Sequence, residues 1–101
     1  MNTPQYNAPD SSIALLCRLV STFDLSALSD IDLADLNALS AGGIEGLCHG
    51  LLFISDSLEQ EVIYPPESVR QLSAFLNASA HLIPALAMLG DKALIQLGEM
   101  H

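Results

Sequence analysis

The side chains that could bind a metal or attack a substrate are Cys17, Cys48, His49, His81, His101 and a scatter of serines. Structural zinc sites bring ligands in close pairs such as Cys-x2-Cys and His-x3-His. Only Cys48 and His49 stand close together here. Neighbours on a helix point about 100° apart, so the two cannot easily chelate one ion or act as a dyad. The expectation is a core thiol beside an edge imidazole, with no metal and no cofactor.

Carboxylates offer two further clusters. Asp30, Asp32 and Asp35 look at first like a calcium loop, but that loop needs Asp or Asn at position 5, Gly at 6 and Glu at 12. Ala34, Asp35 and Ala41 stand there instead. Asp56, Glu59 and Glu61 flank the end of a helical pattern, and acid–base work would need a pocket that shifts their pKa values. A solvated helix face explains them. No serine lies in Gly-x-Ser-x-Gly, and Gly42-Gly43 lacks the Lys-[Ser/Thr] of a phosphate loop. No catalytic residue is expected, and the sequence reads as that of a non-enzyme.

These side chains must be carried by a single small domain. The chain has 101 residues, half of them apolar and only 15 % charged. A small soluble monomer needs polar groups to cover its outside, so part of this apolar surface should be hidden by a second copy or another protein. The net charge is −9, and only Arg18, Arg70 and Lys92 could neutralise phosphate. Direct binding to nucleic acid or to anionic membrane surfaces is therefore not expected. Cys17 and Cys48 sit inside apolar patterns and read as buried free thiols rather than a disulfide.

A spanning helix needs ~20 consecutive apolar residues. The richest stretches, Leu47–Ile54 and Leu82–Leu89, are shorter and contain His, Gly or Pro. Met1–Asp10 lacks the basic and apolar regions of a signal peptide. A cytoplasmic location is the expectation.

Residues 1–9 read as a mobile arm, and residues 10–101 as one helical domain. Asp10 or Ser11 suits a helix N-cap, and Ile13, Leu16, Cys17, Val20 and Phe23 repeat at helical spacing. This predicts a first helix over 11–23. Asp30 is the next candidate cap. Leu33, Leu36 and Leu39, then Ile44, Leu47, Leu51, Ile54 and Leu58, carry an apolar face toward residue 62. Gly42-Gly43 lies within it, and each interior Gly costs about 1 kcal/mol relative to Ala. The apolar phase continues across the pair, favouring one long or bent helix over two.

Tyr64-Pro65-Pro66 ends that helix, because a residue before proline is pushed out of helical angles. A helix over 66–89 follows, with Pro84 expected to kink or restart it. Gly90 reads as a stop, Asp91 as a cap and 93–97 as a last turn of helix. Arg70 is expected to pair with Glu67 or Glu61. No strand pattern appears.

The expected fold is all-α: a small bundle of three to five helices with a long or bent central helix, completed by dimerisation. The central helix and the 66–89 helix form a hairpin, with the first helix across both. Gly43, Gly46 and Gly50 share a stripe with Ile44, Leu47, Leu51, Ile54 and Leu58, and those eight residues are the expected dimer seam; ordinary packing within one chain is the competing use. The leading functional expectation is a homodimeric interaction module that regulates, inhibits or chaperones another protein. An acidic nucleic-acid mimic and a small apolar-ligand carrier, with a pocket near Phe53, Phe75 and Cys48, are the alternatives.

Overall fold

A computed structural model describes residues 9–61 and 63–99. Three α-helices follow in order: α1 over Pro9–Ser21, α2 over Asp30–Glu59 and α3 over Pro66–Glu99. The fold is all-helical, and the described residues contain no strand. The expected arm falls mainly on residues 1–8, outside the described residues.

Local chemistry sets the ends. α1 starts at Pro9, whose fixed φ suits a first helical position, so Asp10 and Ser11 lie inside the helix rather than capping it. Ser29, not Asp30, caps α2: its hydroxyl accepts from the Asp32 amide at 3.1 Å. Asp30 and Asp32 then occupy the first turn, where the helix dipole favours carboxylates. α2 passes through Gly42 and Gly43 and ends at Glu59, short of residue 62. Glu61 follows with φ 54°, the left-handed conformation that usually belongs to glycine at a helix end.

α3 departs from expectation twice. It runs through Pro84 without restarting, and it runs through Gly90, which is no stop. Gly90 is buried where α3 crosses α2: a Cβ there would lie 3.2 Å from Ser40 Cβ. The missing side chain serves helix approach, not helix termination. Asn37 Nδ2 also donates to the Gly90 carbonyl at 3.2 Å.

α2 and α3 form the expected hairpin. α1, however, packs on α3 alone and makes no contact with α2. α3 is thus a spine with one neighbour on each of two sides. The resulting molecule is thin, 54 × 46 × 17 Å, with a radius of gyration of 17.5 Å. A compact domain of this length would have about 13 Å. Among the described residues the buried apolar side chains are Val20, Leu33, Ala85 and Ala93. The chain exposes 7394 Å², against about 5,500 Å² for a compact monomer of its mass.

Candidate interaction surface

The metal and nucleophile candidates stay apart. Cys17 and Cys48 are free, half-buried thiols, and His49 is exposed. His101 lies outside the described residues, among which no cluster of three His, Cys, Asp or Glu side chains could hold an ion. Arg70 makes no ion pair among the described residues. Lys92 is committed to structure: its ammonium donates to the carbonyls of Val20 at 3.1 Å, Ser21 at 2.8 Å and Phe23, at the end of α1. A cation there shares the last carbonyls of the helix, of which that of Val20 also accepts from the Phe23 amide at 3.0 Å, and it meets the negative end of the dipole.

One polar pair could not be found from sequence spacing. Ser12 Oγ and His81 Nε2 are 2.7 Å apart, and His81 Nδ1 lies 2.8 Å from the Asn77 carbonyl one turn earlier in α3. The carbonyl must accept from Nδ1–H, leaving Nε2 to accept from the serine hydroxyl. A nucleophile and base share such geometry, but catalysis also needs oxyanion donors and a place for substrate. The depressions beside Leu39 and beside Gly90 do not border these residues. The pair tethers α1 to α3.

The eight seam residues divide. Gly43 and Gly50 face α3 within the chain: a Cβ on Gly43 would meet Leu86 Cδ1 at 3.1 Å, and one on Gly50 would meet Phe75 Cζ at 2.6 Å. Ile44 shares a hollow with Leu86, Ala87 and Gly90 of α3. Leu47, Leu51 and Ile54 are half-buried. Gly46 and Leu58 are exposed, and a Cβ on Gly46 would meet nothing within 4 Å. Much of the glycine stripe therefore serves the hairpin, because two long helices must approach closely where they cross.

A second apolar face of α2 points away from α3. Leu39 is 72 % exposed and Phe53 73 %. Between them Gly42 and Gly46 present bare backbone. Residues 39, 42, 46 and 53 follow steps of 3, 4 and 7 and so share one side of the helix. An open hollow of about 610 Å³, lined by Asp35, Ala38, Leu39, Gly42 and Gly43, lies on this face. The pocket expected near Phe53, Phe75 and Cys48 does not coincide with either depression.

By length and composition α2 and α3 could each cross a membrane, with mean hydropathies of 1.3 and 1.5 over their richest windows. Unbroken apolar runs do not reveal this length, because Gly, Ser, Asn and His interrupt them without adding full charges. Little of either window is buried within the chain, 6 % and 11 %. A scan of family models, a search of curated proteins and a search of solved structures each found nothing that matches the chain.

Proposed function

We propose that this chain is a non-enzymatic interaction module, homodimeric, that regulates, inhibits or escorts another protein. The supporting observation is its surface. It exposes about 1,900 Å² beyond what a compact chain of its mass would expose, out of 7394 Å² in all. Large apolar side chains such as Leu39, Phe53 and Ile95 stand in water. Obligate dimers cover about 1,000–2,500 Å² on each partner. A partner that dries these side chains gains the hydrophobic free energy that a single chain leaves unused.

Sedimentation at micromolar concentration tests this. The expected mass is twice the 10.7 kDa of one chain. Single chains throughout that range would sink the reading.

A second reading, a membrane hairpin, is favoured by the length and apolar composition of α2 and α3. Against it, Glu45 sits mid-way along α2, and a carboxylate at mid-bilayer depth costs several kcal/mol. α1 also covers the middle of α3, where Ser12 meets His81. Flotation with neutral phosphatidylcholine vesicles discriminates: the hairpin floats with lipid, and the soluble dimer stays behind.

A further inference from the structure

We propose that two copies pair antiparallel along the outer face of α2, about a two-fold axis at Gly46, so that Phe53 of each copy fills the hollow beside Gly42 of the other. This assignment rests on the homodimer reading and names where the two chains meet.

The occupant follows from three features. The surplus area is of the size an obligate dimer covers, which makes a second copy an adequate partner, and the share of it on this face includes Leu39 and Phe53. The face is self-complementary about its midpoint. Leu39 and Phe53 stand seven residues on either side of Gly46, and antiparallel pairing sets each opposite the other. The hollow lined by Asp35, Ala38, Leu39, Gly42 and Gly43 is centred near Leu39. That is where the same register delivers the ring of Phe53 from the second copy.

Charge selects the direction. α2 carries no Lys or Arg, so no salt bridge within an α2 pair can offset repulsion. A parallel pair in register would set Asp32 and Asp35 each against its own copy. The antiparallel register faces Asp35 with Ser57 and Asp32 with Gln60 instead. It also opposes the two helix dipoles. At the axis the glycine allows a short interhelical distance.

Gly46→Leu is the decisive variant, because a side chain there meets nothing within 4 Å in its own chain. Helical circular dichroism should be unchanged, while self-association weakens about tenfold or more. Phe53→Ser, which empties the hollow, should weaken it too. In a Cys17→Ala/Cys48→Ala background, Gly46→Cys should oxidise to a linked dimer, since disulfides need Cα atoms about 4.4–6.8 Å apart. Leu39→Cys should cross-link to a Phe53→Cys chain and not to itself. A dimer that survives Gly46→Leu and fails to cross-link through Gly46→Cys overturns this face while leaving self-association standing. Single chains for the unmodified protein overturn both. Self-linking of Leu39→Cys without the mixed product overturns the antiparallel direction.

Discussion

Gly90 of α3 rests against Ser40 of α2, so close that a Cβ on the glycine would lie 3.2 Å from Ser40 Cβ and 3.5 Å from Asn37 Nδ2. The hairpin is pinned here, where Ser40 and Gly90 are both buried. Gly90→Val should force the helices apart and destabilise the fold by about 1–3 kcal/mol, as overpacking does. Urea denaturation checks this, and an unchanged midpoint would contradict the close crossing.

Gly50 makes a second tight contact, against the Phe75 ring. Alanine in a helix interior is worth about 1 kcal/mol over glycine. Gly50→Ala should forfeit that gain, because its methyl would collide with Phe75. With Phe75→Leu in place, the same change should recover much of it. A double-mutant cycle measures the coupling, and additive effects would mean that the ring is not the obstacle.

Glu61 holds a left-handed backbone, φ 54°, just after α2. For a residue with a Cβ this conformation costs roughly 1–2 kcal/mol. Glu61→Gly should raise the melting temperature, offset in part by the greater freedom of glycine in the unfolded chain. A fall in melting temperature would argue against the turn.

Acid should loosen the end of α1 through Asp24. Hydrogen bonds from the Ser26 side chain, then from its backbone N–H, hold this carboxyl below its ordinary pKa; slight desolvation opposes them, and the Lys92 charge assists. A carboxyl lowered in the folded state contributes stability above its unfolded pKa and loses it as pH falls through the folded value. The difference in stability between the parent and Asp24→Asn should therefore shrink below about pH 4. A difference independent of pH would exclude this role.

Ser79 is the counter-example among polar contacts: its hydroxyl is buried and has no hydrogen-bond partner among the described residues. Removing an unsatisfied buried hydroxyl relieves a desolvation cost of about 1–3 kcal/mol. Ser79→Ala should leave stability unchanged or raise it. A loss would reveal a bond the hydroxyl makes in solution.

The sequence carried the helices better than their contacts. Apolar spacing from Leu33 to Leu58 and the Pro65-Pro66 stop outline α2 and the start of α3, because periodicity and proline act locally. Gly90 differs from its expected role as a stop for a physical reason: glycine marks helix ends and close crossings alike, and only the neighbour, Ser40, distinguishes them. A helical period identifies the face holding Gly43 and Gly50 but not what covers it, and here that is Leu86 and Phe75. The outer face of Leu39, Gly42, Gly46 and Phe53 is only partly legible, because its two glycines score as neither apolar nor polar. Ser12 and His81 are 69 residues apart, and no local pattern links them.

Because α1 touches the spine and never α2, detaching it leaves the remaining pair of helices intact. The Lys92 ammonium and the Ser12–His81 bond are its clasps, one toward each end. Undoing them, as by Lys92→Met with His81→Ala, should let α1 peel away in its own step before the hairpin melts. Amide exchange would then fall into two classes, fast in α1 and slow where α2 crosses α3. So open a linkage makes a molecule that can shed one arm without losing its body.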